Sequence, residues 1–363
     1  MKKNSGITLV ALVVTIIILL ILAGISIQTL TQTNLFNKAK QAKNATENAQ
    51  KEENKILSEY MNKMNEYLPE TLASKVNSGE VPIGSYIKYT LDVASEETIN
   101  NLITELGTYS GSNANTKETL KQETELKWRV LDVENGQVRL ISDVPTTSKI
   151  TLSGYNGYNN AVKLLDDTCN ILYNNVKLAN KVQNLKIEDV KKYIKDLPEE
   201  DTTEYKPENI NFPNILKQER DQTVEGSNIT KIGESEQNIF EIGQTTSSTN
   251  KLKNTYWYKY TIKDDFEEKY YELFIKKYEN NYYPIYWMSS RCITADSKGA
   301  NFNVRNINDD YVNAYTLYNS NSDNYSYPYS FRPVIVLNSN VQIDTANQGE
   351  GTENNAYNIK VFI

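Results

Sequence analysis

ITLVALVVTIIILLILAGISI, residues 7–27, is an uncharged run whose reading decides the fold. At about 1.5 Å per residue, some twenty apolar residues are long enough to cross a bilayer as one helix. Lys2 and Lys3 precede it and favour a cytoplasmic N-terminus, so the rest of the chain is expected outside the cell. The run exceeds a usual secretory h-region, and no Ala-x-Ala site follows it. A plain N-terminal anchor is the simpler reading of the same residues.

Gly6 supports a sharper one. A short basic leader ending in Gly, then Ile7, Thr8, Leu9 and an unbroken apolar run, resembles the N-terminus of type IV prepilins and pseudopilins. The resemblance implies that a prepilin peptidase cleaves after Gly6 and that the new N-terminus, Ile7, is methylated. It also implies that the helix rests first in membrane lipid and later packs against other pilin-like subunits in a filament. Pilins usually carry Glu at the fifth mature position, and here that position is Ala11. A carboxylate there would offset a neighbour's ammonium in an apolar core, where an unpaired charge is costly. Ala11 therefore points to a minor or tip subunit.

Composition bounds the remainder. The chain has 363 residues, a net charge of −7 and a pI near 5.1. No basic footprint exists, so no nucleic-acid partner is expected. There is no histidine, which excludes Ser-His-Asp and Cys-His catalysis and His-containing zinc sites. Two cysteines cannot close a four-Cys zinc site. Carboxylate-only chemistry of the glycosidase type survives. Asp166 and Asp167 are adjacent on a helix, however, and face different sides. Asn308-Asp309-Asp310 and residues 319–324 cluster oxygen ligands, but turn capping explains them better than calcium. No metal, cofactor or catalytic residue is expected.

Along the chain, residues 29–68 read as a polar helix that carries an apolar stripe including Ile56, Tyr60 and Met64, and Pro69 ends it. Residues 82–89 read as a turn and a strand, and residues 96–106 as a short helix. Asn135-Gly136 between two alternating runs, 127–133 and 137–142, is a hairpin signal. A helix should follow Asn160, with Ala161, Leu165, Cys169 and Leu172 on its apolar face, and another should span 187–197. Residues 198–251 read as a loop insertion. Tyr256 and Trp257 on one side and Tyr282, Tyr283 and Trp287 on the other read as strands framing a polar hairpin at 263–268. Residues 331–337 read as a buried strand whose Arg332 is held by a carboxylate.

A second resemblance covers residues 82–363. Trp128-Arg129-Val130-Leu131, Gly157-Tyr158-Asn159-Asn160, Tyr286-Trp287-Met288-Ser289-Ser290-Arg291 and Arg332-Pro333-Val334 resemble a module of uncharacterised clostridial surface proteins. That module often rides behind prepilin-type leaders.

The expected class is α+β: a leader (1–6), a long N-terminal helix with a membrane-spanning first half (7–68), and a mainly antiparallel-sheet extracellular head (69–363). The expected role is a structural or adhesive pilin-like surface subunit, not an enzyme. An anchored binding protein outside any filament and a carbohydrate-active enzyme are the alternatives. Tyr256, Trp257, Tyr282, Tyr283 and Trp287 are the candidate aromatics for a host or cell-surface glycan or protein ligand, although core packing is the commoner use of such rings. An extracellular head favours a disulfide between Cys169 and Cys292, with two separately buried thiols as the alternative.

Overall fold

The computed structural model describes residues 70–116, 120–195, 266–275, 285–308, 311–319, 321 and 323–362. It also describes the short pieces 204–205, 252–253 and 260–261 and five helical positions, Ala45, Ala49, Glu52, Glu53 and Ile56. Two compact units divide at Pro69, and the second, Glu70–Ile363, is the head.

The head opens with α1 (Leu72–Asn77), capped by the Thr71 hydroxyl, which accepts from the Ser74 amide at 3.2 Å. β1 (Tyr86–Lys88) follows, then α2 (Glu96–Tyr109). Ser95 caps α2, and Glu96 and Glu97 lie in its first turn, where they suit the helix dipole. β2 (Trp128–Glu134) and β3 (Gln137–Ser142) form the expected hairpin. Asn135 and Gly136 have φ of 51° and 74°, the left-handed pair that a two-residue type I′ turn requires.

β4 (Ile150–Ser153) leads directly into α3 (Gly154–Tyr173). α3 begins earlier than its apolar period suggests, and Ala161, Leu165, Cys169 and Leu172 are all fully buried on it. Gly157 lets it approach closely, since a Cβ there would lie 2.9 Å from the Ser110 carbonyl oxygen and 3.0 Å from the Leu152 carbonyl carbon. Next come β5 (Ala179–Asn184), α4 (Ile187–Lys191), and the two-residue strands β6 (Glu204–Tyr205), β7 (Leu252–Lys253) and β8 (Tyr260–Thr261). α5 (Glu268–Phe274) precedes β9 (Tyr286–Ala295), β10 (Ala300–Asn308), β11 (Tyr311–Asn319), β12 (Ser326–Phe331), β13 (Pro333–Leu337), β14 (Val341–Ile343) and β15 (Tyr357–Val361).

Seven strands form one sheet in the order β14-β15-β1-β2-β3-β13-β5, antiparallel except for β15 beside β1. Six form a second in the order β4-β12-β9-β10-β11-β8, with β12 and β9 parallel. β6 and β7 pair with each other. Period-two alternation feeds two cores. Val130, Leu140 and Ile335 join α3 in one. Leu131, Ile141 and Val334 join Val190 of α4 and Phe274 of α5 in the other. Each fully buried aliphatic or aromatic side chain contributes roughly 1.5–3 kcal/mol.

The second sheet curls. Tyr315 of β11 and Tyr329 of β12 have ring centroids 5.3 Å apart, although β9 and β10 stand between their strands. A flat sheet would place them about 14 Å apart.

β12 and β13 are one run of chain that leaves the second sheet and enters the first at Arg332. Arg332 is 1% exposed. Its guanidinium donates to the carbonyls of Ser142 (3.1 and 2.9 Å), Asp143 (3.0 Å) and Phe274 (2.6 Å), and to the Tyr286 hydroxyl (3.3 Å). The expected carboxylate partner is therefore corrected. Phe274 ends α5, where carbonyls lack helical partners and carry partial negative charge, and the C-terminal end of β3 supplies the other acceptors.

The fold expectation needs a larger correction. The head is a mixed fold dominated by two sheets. No long N-terminal helix is present among the described residues, and none of their helices is long and apolar enough to cross a membrane. The longest, α3, has 20 residues but carries Lys163, Asp166 and Asp167. The expected single-pass placement, with a cytoplasmic N-terminus and an extracellular head, is withdrawn on that finding. Residues 7–27 and most of the rod read over 29–68 lie outside the described residues; of the stripe, Ile56 is exposed. Of the polar hairpin expected at 263–268, residues 263–265 lie outside the described residues, and Glu268 opens a helix instead. Tyr270, Leu273 and Phe274 bury at three- and four-residue spacing, which makes Glu268–Phe274 amphipathic.

Arg332→Met keeps the apolar stem and removes the donors. It should lower the unfolding free energy by about 3 kcal/mol in urea denaturation, the scale of charged hydrogen bonds lost at buried acceptors. A change within experimental error would show that the strand switch does not depend on the guanidinium.

Candidate functional site

A groove of about 510 Å³ opens where β1 and the segment before β2 part. The two are paired only at Tyr86↔Arg129 and Ile87↔Trp128. Beyond that, two local turns drive them apart. The Tyr89 amide donates to the Ile87 carbonyl at 3.0 Å, a tight three-residue turn that bends β1 outward. The Leu126 amide donates to the Glu123 carbonyl at 3.3 Å, which turns the other lip away. Ile87, Leu91, Leu126 and Trp128 give the groove an apolar floor. Lys88, Glu125, Lys127 and Glu353 set its charged rim. Lys127 Nζ and Glu353 Oε1 meet at 2.9 Å across the mouth, with both side chains about half exposed. Such a pair is worth roughly 0–1 kcal/mol and opens easily.

The most concentrated charge lies elsewhere and is committed to structure. Arg139, 3% exposed, makes a two-point contact with Asp132 and also reaches Asp189 and Glu134. Asp189 accepts from the Lys186 amide as well, so it ties α4 to the hairpin. Tyr193 donates its hydroxyl to Asp132 and stacks on Tyr270 with centroids 3.6 Å apart. Burial, with the Asp132 hydrogen bond and charge behind it, pushes the Tyr193 phenol well above its ordinary value. Burial likewise pushes up Tyr173 and Tyr89, Tyr89 with Asp92 adding to it.

The expected sites fare differently. Tyr256, Trp257, Tyr282 and Tyr283 lie outside the described residues, as do Gly6 and Ile7. Trp287 is fully buried; its indole donates to the Ile150 carbonyl at 2.9 Å and its ring meets Tyr329 at 4.9 Å. It packs the core and is no part of an exposed platform. Cys169 and Cys292 are not joined, and both are buried thiols. Cys169 on α3 approaches the Asn184 side chain at 4.0 Å. Cys292 pairs with Asn303, while its neighbours in the ladder, Arg291 and Val304, face α3. Alternation therefore turns Cys292 to the sheet face away from α3. Asp166 serves the Asn184 amide (3.0 Å) and Lys186 (3.1 Å), whereas Asp167 faces Lys163 at 4.0 Å. Asn319 caps its own turn, accepting from the amides of Asn321 and Asp323, both at 3.0 Å. Among the described residues no cluster of acidic or sulfur ligands could hold a metal.

Sequence reading missed the groove. Its signal is faint: Leu91, Leu126 and Ala356 are apolar residues in segments with no period of their own.

Two outcomes test this geometry. Unfolded, unreduced protein should expose two reactive thiols on labelling; none would restore the disulfide. In alkaline solution the raised phenols contribute stability that is fully present below about pH 10, where unfolded tyrosines begin to ionise, and lost as pH rises toward their folded values. Stability should thus fall steeply above that pH in chemical denaturation, and Tyr193→Phe should flatten the slope. No family model matches the chain, and no curated protein or solved structure matches it.

Proposed function

We propose that the chain is a structural or adhesive subunit of the pilin-like kind, a minor or tip component, whose head takes up an extended segment of a neighbouring subunit. The groove between β1 and the segment before β2 carries the reading. Its lips are turns that leave β1 and β2, and the amides of Thr124 and Glu125 make no main-chain hydrogen bond among the described residues. An incoming extended chain offers carbonyls to such amides and places alternate side chains on an apolar floor. The rim holds two cations and two anions, so it discriminates weakly by charge and favours an apolar segment. The buried charges are spent on holding the hairpin, α4 and the strand switch, which supports recognition over catalysis. The leader sequence supports the pilin-like assignment: Gly6 closes a short basic stretch ahead of an apolar run.

Two experiments test it. Mass spectrometry of the mature chain should find an N-terminus at Ile7; a start at Met1 would overturn the leader reading. Leu126→Arg places a cation on the groove floor while the sheets stay intact. It should lower crosslinking yield with neighbouring pilin-like subunits by about tenfold, the effect of losing roughly 1.4 kcal/mol of contact. An unchanged yield in a variant with an unchanged melting profile would remove the groove from the assembly.

A further inference from the structure

Residues 311–331 carry one charged side chain, Asp323, and six of the chain's 26 tyrosines. At the chain's 23% charged content, a stretch of that length would hold about five charges. The stretch builds β11 and β12, and the curl of the second sheet makes their α3-facing side concave. α3 covers one end of that side: Tyr158 meets Phe302 at 5.2 Å and Tyr155 meets Tyr318 at 5.9 Å. Among the described residues no α3 ring meets the other end in this way. There Tyr315, Tyr327 and Tyr329 stand half-buried, with centroids 4.8, 5.3 and 5.9 Å apart. The rings of Tyr327 and Tyr329 are within 11° of parallel. Asn308 donates to the Tyr315 hydroxyl at 2.8 Å, which holds that ring in place.

Asn306 lies on the same side. Its ladder partners are Asn313 and Trp287, and alternation puts it on the face of Val304 and Asn308. It is fully buried, and among the described residues neither its amide oxygen nor its amide nitrogen has a hydrogen-bond partner. A buried amide left unmade costs about 1–3 kcal/mol, which a ligand offering a donor and an acceptor would recover.

We propose that this concave end of the second sheet, formed by Tyr315, Tyr327, Tyr329, Asn308 and Asn306, is a binding site for a neutral pyranose glycan. Tyrosine faces accept the apolar C–H face of a sugar ring. A planar amide matches a vicinal pair of hydroxyls, donating to one and accepting from the other. The near absence of charge selects against sialylated or sulfated sugars, whose anions would be desolvated without a partner. The site is separate from the groove and does not depend on the groove's occupant.

The test uses the full chain on a printed array of neutral, sialylated and sulfated oligosaccharides, followed by titration calorimetry with the best neutral binder. A neutral glycan should bind. Tyr327→Ala should weaken it at least tenfold, Tyr327→Phe should retain most of the affinity, and the groove variant Leu126→Arg should leave it unchanged. Asn306→Leu should lose discrimination among neutral sugars that differ at one hydroxyl. Because that residue is buried, Tyr327→Ala with an unchanged melting profile is the deciding variant. Silence across the neutral sugars, binding of acidic sugars only, or binding indifferent to Tyr327→Ala would each overturn the site.

Discussion

The guanidinium of Arg332 is the constraint on which the two sheets jointly depend. A strand that begins in one sheet and ends in the other must turn at a buried point, where several backbone carbonyls converge and no water can reach them. One planar cation with five donors satisfies the carbonyls of Ser142, Asp143 and Phe274 together. Tyr286 places its ring 5.5 Å from the same charge and its hydroxyl on the Phe274 carbonyl, so β9 and α5 are fixed at the same point. The Arg332 amide donates to Asn184 at 2.7 Å, and Asn184 donates in turn to the Trp287 carbonyl at 2.9 Å. Three strands and a helix thus meet around a single side chain.

From that junction the rest of the head follows. The first sheet presents alternate residues to two cores, and α3 fills the space between it and the curled second sheet. The Arg139 cluster performs the same service further back along β3, holding α4 against the hairpin with ions in place of apolar contacts. Buried ion clusters of this kind contribute little net stability but punish misplacement heavily. Their use here divides the labour: apolar burial supplies the driving force, and the arginines specify which strand lies next to which.

Much of the local structure was readable from the residues. Asn135-Gly136 between alternating runs identified the β2–β3 hairpin, and the spacing of Ala161, Leu165, Cys169 and Leu172 identified α3. What failed was information that no short window contains. Residues 263–268 look like a polar turn because four of the six are acidic and one is basic, yet Glu268 opens a helix that buries Tyr270, Leu273 and Phe274 on one stripe. Cys169 and Cys292 are both apolar and inward, but a period of two sends Cys292 to the wrong face of its sheet. Trp287 looked like a ligand platform and is core. The groove and the tyrosine cluster come from places where strands part or curl, and a linear reading carries no mark of either.

The order of strands in the first sheet has a consequence for how the chain is made. β13, near the C-terminus, lies between β3 and β5, which are synthesised far earlier, and β15 lies between β14 and β1. Neither gap can close until β13 and β15, residues 333–361, have left the ribosome. The head therefore cannot mature in sequence from its N-terminal end. Its early strands must wait with open edges, a state prone to wrong pairing, and then close together in one late, long-range step. Deleting β13 to β15 would leave no smaller folded head behind.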